Sequence, residues 1–289
     1  MDNEDIQGNK INLSKIGWVK LILHRPIPDG FKVKTAIFSK KSDGWYATLS
    51  LEDTSVPKSI NELELTESNS IGIDLGLEKF LADSEGNFTT VPQFFRKVED
   101  KLAQLQQKTS AAKKGSRARK LLARKVAKLH QKIARQRRQF QFETAGKVLE
   151  KADLVFIEDL SINNMNKRCK PKQDETGKFL PNGQSAKSGM NKSIADVGWG
   201  GFVEILTVKA ERAGQKVIKV NPRGTSQHCS NCLGYVPKVL KDRWHSCSEC
   251  GLELDRDTNV AVLIKKVGLG VSLTIKRSTR KRREAWAVT

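Results

Sequence analysis

The chain has 289 residues, enough for one large domain or two smaller ones with an ample core. Its 52 Lys and Arg against 32 Asp and Glu leave a net charge of +20 at pH 7, which points to a polyphosphate partner. No apolar run of about eighteen residues exists and the opening MDNEDIQGNK is polar and acidic, so the composition argues against a membrane span or a secretory leader and for a soluble cytoplasmic protein.

Residues 11 to 52 carry three runs in which apolar and polar residues alternate: Trp18 to Leu23, Lys32 to Phe38 and Gly44 to Leu51. Pro28-Asp-Gly and Lys41-Ser-Asp-Gly mark turns between them, so a small antiparallel sheet or half a barrel is expected. Its Lys-rich positions (Lys20, Lys32, Lys34, Lys40, Lys41) suit phosphate contact or ordinary solvation. Residues 53–69 are polar with a proline and read as a linker.

A new domain begins at Ser70-Ile-Gly-Ile-Asp-Leu-Gly. Ile71, Ile73 and Leu75 alternate with Gly72, Asp74 and Gly76, which places Asp74 opposite the apolar face of a strand, with small neighbours that would let a ligand or phosphate come close. A meander continues through Lys79–Ala82 and Asn87–Val91. Helices follow, from Phe95 to about Lys108 and, after a loop at Lys113-Lys-Gly-Ser, from Arg117 to about Glu150. On the second helix Leu121, Leu122, Val126, Leu129, Ile133 and Phe140 recur at helical spacing, while Arg117, Arg119, Lys120, Arg124, Lys128, Arg135, Arg137 and Arg138 crowd the other faces. Acidic residues are almost absent between 101 and 142, so salt bridges along the helix do not account for these charges and a nucleic-acid face is expected.

Asp153 to Leu160 reads as a buried strand ending in carboxylates, with Leu154, Phe156 and Glu158 on one face. Residues 161–193 lack periodicity and read as a flexible loop. Asp196 is expected to cap the helix that follows, and Gly214 to end it. Gln215–Val220 is another strand, and Thr258 to Lys266 a final helix. Lys276 to Arg283 form a basic tail, and Cys169 is an isolated cysteine in a polar stretch.

Between that strand and the final helix lie two Cys-x-x-Cys pairs, Cys229/Cys232 and Cys247/Cys250, separated by fourteen residues. Each pair brings two thiolates to one ion, and two pairs complete a tetrahedral S4 site suited to structural zinc; disulfides are the alternative in a secreted chain. A closed tetrathiolate site offers no open position, so chemistry must come from elsewhere. Asp74, Glu158 and Asp257 stand at the ends of successive elements and would converge on one point, where clustered carboxylates suit Mg²⁺ or Mn²⁺. Singly, Asp74 could be a turn residue or the phosphate-side aspartate of an actin-like ATPase, Glu158 a surface strand end, and Asp257 a helix cap.

Ile71-Gly-Ile-Asp-Leu-Gly, Val155-Phe-Ile-Glu-Asp-Leu, Asn221-Pro-Arg-Gly-Thr-Ser-Gln-His-Cys-Ser-Asn-Cys and Asp255-Arg-Asp-Thr-Asn-Val-Ala resemble the RuvC-type motifs and zinc ribbon of TnpB (OrfB-type) proteins of insertion sequences, relatives of compact type V CRISPR nucleases. The resemblance implies an α/β ribonuclease H-like (RuvC) mixed sheet with an inserted zinc ribbon, preceded by a partial wedge-like antiparallel β domain. It implies RNA-guided DNA cleavage, with DNA as substrate, a guide RNA from the same locus and two-metal catalysis by Asp74, Glu158 and Asp257. Asp257 is preferred to Asp255 because Thr258-Asn259 follows it. The expected division is 1–66 wedge-like, 67–222 RuvC-like with a helical insertion at 94–150, 223–253 ribbon, 254–270 final helix and 271–289 tail. Relative to the family the chain starts late, as if truncated at its N-terminus, and Leu233 stands where the family often has Gly. The rival function is a cleavage-deficient nucleic-acid-binding remnant or regulator of transposition.

Overall fold

The computed structural model describes residues 6–53, 64–239 and 241–273, which fall into two compact units. The first unit joins Met1–Asn61 with Val98–Arg135. Its strands β1 (Ile6–Gln7), β2 (Lys10–Leu13) and β3 (Gly17–Lys20) form one antiparallel sheet, and β4 (Lys32–Lys40) and β5 (Trp45–Glu52) form a separate hairpin. The expected single small sheet is thus two sheets. Ile11 and Val33 are their buried anchors.

The second unit joins Glu62–Lys97 with Gln136–Thr289. In chain order, β6 (Ser70–Asp74), β7 (Lys79–Asp83) and β8 (Phe88–Thr90) precede the helices α1 (Glu99–Ala111) and α2 (Arg117–Leu149). Both helices lie close to the expected spans, and the division between the two units falls within α2. Then come β9 (Leu154–Glu158), α3 (Ile162–Met165), β10 (Lys172–Gln173), β11 (Phe179–Leu180), α4 (Gln184–Val197), α5 (Trp199–Ala213), β12 (Lys216–Val220), β13 (Trp244–Ser246), β14 (Glu253–Asp255) and α6 (Arg256–Gly268).

The expected flexible loop at 161–193 is instead a short helix, a two-residue hairpin and most of α4. Its polar sequence hid this because side-chain-to-backbone bonds replace apolar packing: the Asn191 amide donates to the Asn166 carbonyl (2.8 Å) and the Asn182 amide to that of Lys170 (3.0 Å). Asp196 does not cap the following helix either. It lies inside α4, and Gly198, in the left-handed conformation, precedes α5. The Asp196 carboxylate accepts from the backbone N–H of Phe95 (3.0 Å) and Arg96 (3.3 Å) and from Arg137 (3.3 Å). Gly214 does end α5, at φ 73°. The basic tail at 276–283 and most of the 53–69 linker lie outside the described residues.

The central sheet has the order β12-β9-β6-β7-β8, with β12, β9 and β6 parallel and β7 and β8 antiparallel to their neighbours. Numbered along the sheet strands themselves this is 5-4-1-2-3, the arrangement expected of a ribonuclease H-like domain. Alternation along the strands sends side chains to two different layers. Ile71, Ile73, Val155 and Ile157 face a large core with Ala145, Val148, Phe202 and Leu206 of α2 and α5. Phe156 and Val220 face the other way, against Val260 and Ile264 of α6. α6 lies so close to β6 that a Cβ on Gly72 would sit 2.1 Å from the Ala261 carbonyl oxygen. Gly72 therefore makes room for a helix, and a Cβ on Gly76 would meet the Lys79 carbonyl at 2.7 Å; neither glycine opens the strand to a ligand as expected. Among the described residues no helix is long and apolar enough to cross a membrane.

Candidate active site and metal centres

The parallel pairing of β6 and β9 runs in register from Ser70↔Leu154 to Ile73↔Ile157, so Asp74 and Glu158 each follow the last paired residue of neighbouring strands. Asp74 shares its face with Gly72, and Glu158 shares its face with Phe156. Both of those residues touch α6, so the two acids point to the α6 side of one sheet edge. Asp257 sits in the first turn of α6. The third acid thus arrives from the helix that covers that face.

The helix start frees Asp257 for this. Asp255 is the N-cap: its carboxylate accepts from the N–H groups of Asp257 (3.0 Å) and Thr258 (3.3 Å). The capping role open to Asp257 on sequence grounds therefore belongs to Asp255.

Electrostatics tie the three together. The Asp74 carboxyl is pushed up to about 7, first by burial and then by the charges of Glu158 and Asp257. Burial also raises Glu158, against the pull of the Thr225 hydroxyl, which donates to Glu158 Oε1 at 2.6 Å. Asp257 has two cations beside it, Lys79 Nζ at 3.7 Å and the Arg256 guanidinium at 3.4 Å, and Lys79 also holds Asp255 at 2.6 Å. Thr225, Lys79 and Arg256 were missed in the sequence. Only Arg256, wedged between two aspartates, carried any local signal. A cleft of about 120 Å³ opens beside Glu158, with Trp199, Gly200 and Lys219 on its walls.

The four cysteine sulfurs form the tighter group: all lie within 4.8 Å of one another. Cys229 Sγ is 3.6 Å from Cys250 Sγ, and Cys232 Sγ 3.6 Å from Cys247 Sγ. A regular tetrahedron with metal–sulfur bonds of about 2.3 Å has edges of about 3.8 Å, whereas a disulfide needs about 2.05 Å. The thiols therefore fit a tetrahedral metal ion, and the disulfide alternative fails. Cys229 and Cys247 are buried, and Cys232 and Cys250 exposed. The first knuckle is fastened to α6 through the buried Asn259, which accepts from Ser230 N–H (2.8 Å) and donates to the His228 carbonyl (2.9 Å). Leu233 follows that knuckle at φ 61°, and Gly251 follows the second at φ 73°.

These motifs, in this order, match known sequences. Residues 53–168 match the family described as "Probable transposase" (OrfB_IS605), and residues 199–264 the "Cas12f1-like, TNB domain". InsQ of Escherichia coli (strain K12), whose name marks it as a candidate RNA-guided DNA endonuclease, is 30% identical over 92% of this chain. TnpB-like protein L79 of Acanthamoeba polyphaga mimivirus is 25% identical over 70% of it. The chain is thus similar to TnpB-type proteins over most of its length. It spans 64% of the length of InsQ and 38% of L79. Among solved structures, a Cas12f1–sgRNA–target DNA complex superposes with TM-score 0.43 at 19% identity, covering 81% of this chain and 55% of that one.

The eight basic residues expected to meet nucleic acid divide in the structure. Arg124 donates to the Ser42 carbonyl (3.2 Å), and Arg135 pairs with Asp43 (2.8 Å) and the Tyr46 hydroxyl (2.6 Å), all within the first unit. Arg119 donates to the Ala112 carbonyl at the end of α1 (3.0 Å), Arg137 holds Asp196, and Arg138 lies over the Phe142 ring. The acidic partners missing along the helix come from distant segments. Arg117, Lys120 and Lys128 show no such contact among the described residues.

Proposed function

We propose that this chain carries the cleavage machinery of an RNA-guided DNA endonuclease, with Asp74, Glu158 and Asp257 as its catalytic acids. What supports the reading is that Asp74 and Glu158 follow paired residues of neighbouring strands on the face that α6 covers, that Asp257 lies in the first turn of that helix, and that burial and the other two charges raise Asp74 to about 7. Hard oxygen donors of this kind suit Mg²⁺ or Mn²⁺. Divalent ions bound there would activate water and stabilise the departing 3′ oxygen of a phosphodiester.

The residues around the acids then have definite tasks. Thr225 holds one Glu158 oxygen and fixes its rotamer. The Asp255 cap sets the first turn of α6, and with it the height of Asp257. Lys79 and Arg256 supply positive charge beside Asp257 that a DNA phosphate would meet. Arg117, Lys120 and Lys128 supply further backbone contact, while a paired guide RNA reads the target. Zinc in the four thiols folds the ribbon and performs no chemistry.

The test is cleavage of DNA by the purified chain, co-expressed with RNA from its own locus, with and without Mg²⁺ and beside Asp74→Ala. Metal-dependent cutting by the wild type alone supports the proposal. Cutting that persists in Asp74→Ala refutes the acid assignment, and RNA or DNA binding without any cutting favours the binding-only regulator.

A further inference from the structure

The ribbon is inserted between β12 and α6, and each of its ends is bonded to an acid or to the helix start that carries one. At the entry, Gly224 turns the chain at φ 91°, and Thr225 is fully buried with its hydroxyl on Glu158 Oε1 at 2.6 Å. The His228 ring closes this turn, its Nδ1–H donating to the Gly224 carbonyl at 2.7 Å. Cys229, the first thiol, comes next and is itself buried. The hydroxyl that holds Glu158 thus belongs to the segment that delivers the first thiol.

At the exit, β13 and β14 pair from Ser246↔Glu253 to Trp244↔Asp255, so the residue that caps α6 is the last residue of the ribbon hairpin. The Cys247 N–H donates to the Leu252 carbonyl (2.9 Å), which ties the second knuckle to the other end of that hairpin. A third link runs from α6 itself. Asn259, fully buried and two residues beyond Asp257, accepts from the Ser230 N–H (2.8 Å) and donates to the His228 carbonyl (2.9 Å). Lys266 adds a bond to the Ser230 carbonyl at 2.6 Å. The two residues that flank Cys229 are therefore the two that α6 grips. A buried amide that loses its partners is penalised, so the first knuckle and the first turns of α6 are ordered together. A metal ion in the four thiols fixes Cys229, and with it His228 and Ser230.

We propose that the first knuckle is the frame on which Glu158 and Asp257 are set, with Thr225 and Asn259 as positioning residues, so that filling the four thiols strengthens divalent-ion binding by the acids. This rests on reading the cysteines as a zinc site and the three acids as a Mg²⁺ or Mn²⁺ site. The coupling is reciprocal, since two ions that favour one folded arrangement strengthen each other's binding equally.

The experiment is a Mn²⁺ titration of the whole chain, with free Mn²⁺ read by electron paramagnetic resonance and the fold followed by circular dichroism. It compares the zinc-loaded and zinc-free wild type with zinc-loaded Thr225→Val, Thr225→Ser and Asp74→Asn. Mn²⁺ affinity about tenfold weaker in the folded zinc-free chain supports the proposal, with part of that loss in Thr225→Val and recovery in Thr225→Ser, which restores the hydroxyl. Equal Mn²⁺ affinity with and without zinc overturns it and leaves the acid site standing. Thr225→Val that binds Mn²⁺ as tightly as the wild type also overturns it, and this arm decides even if zinc removal unfolds the protein. A zinc-loaded wild type that binds Mn²⁺ no better than Asp74→Asn removes the acid site itself and the proposal with it.

Discussion

The ribbon and the sheet edge hold two sets of acidic or thiol side chains, and they are assembled differently. The four sulfurs already lie within 4.8 Å of one another, with paired sulfurs at 3.6 Å. The carboxylates come from two strands and a helix, and their assembly is marked by electrostatic strain, with Asp74 held near 7. Thiols can meet as neutral groups and give up their protons to an ion later. Carboxylates are charged at neutral pH, so they can converge only by taking up a proton or a cation. One set meets without charge repulsion, and the other raises the pKa of its most buried acid.

Removing the metal from the ribbon should have the largest effect, since structural zinc binding is worth on the order of 10 kcal/mol. Cys247→Ser, or a strong chelator, should unfold the ribbon. Because Asn259 ties the first knuckle to α6, hydrogen exchange should also accelerate in the first turns of α6. Exchange confined to the ribbon would show that the two sites are mechanically separate.

At the acid site the sign of the effect reverses. The folded pKa of Asp74 is raised from 3.8 to about 7, so its favourable contribution is fully present below pH 3.8 and lost as pH rises through 7. The metal-free protein should therefore lose up to about 4 kcal/mol from this group between those limits, and Mg²⁺ should restore part of it at pH 8. Asp74→Asn should flatten the pH dependence of the melting temperature, raise it at pH 8 without metal, and abolish the Mg²⁺ response. A melting temperature that is equally pH-dependent in Asp74→Asn would contradict the coupling.

Smaller still is the difference between the two knuckles. Gly251 adopts its left-handed φ freely, whereas Leu233 carries a Cβ at φ 61°. Leu233→Gly should stabilise the zinc-loaded ribbon by about 1 kcal/mol, read as slower chelator-driven zinc release. The smallest change is expected on α2, where Lys128→Gln should reduce the salt dependence of nucleic-acid binding by about one phosphate contact. Removing Arg135, already engaged by Asp43, should cost stability by less than about 1 kcal/mol.

What the sequence revealed follows from the range of the interactions involved. The cysteine spacing, the strand at Ser70–Asp74 and the long helix from Arg117 were legible because each is specified by neighbours a few residues away. The role of Gly72 was not, since the backbone it accommodates belongs to Ala261. The same holds for Asp196, whose partners are Phe95, Arg96 and Arg137. The helices of 161–197 escaped notice because polar bonds to distant carbonyls hold them where an apolar stripe would have announced them. The three acids could be named in the sequence, but that Asp74 and Glu158 face α6 emerged only with the packing of that helix on Gly72 and Phe156.

The most direct measurement is a Mn²⁺ titration followed by electron paramagnetic resonance, on the zinc-loaded wild type and on Asp74→Asn. The three-acid account predicts that the wild type quenches the free Mn²⁺ signal with a defined stoichiometry, and that Asp74→Asn loses that binding while its ribbon keeps zinc. Equal Mn²⁺ binding by both proteins would contradict it.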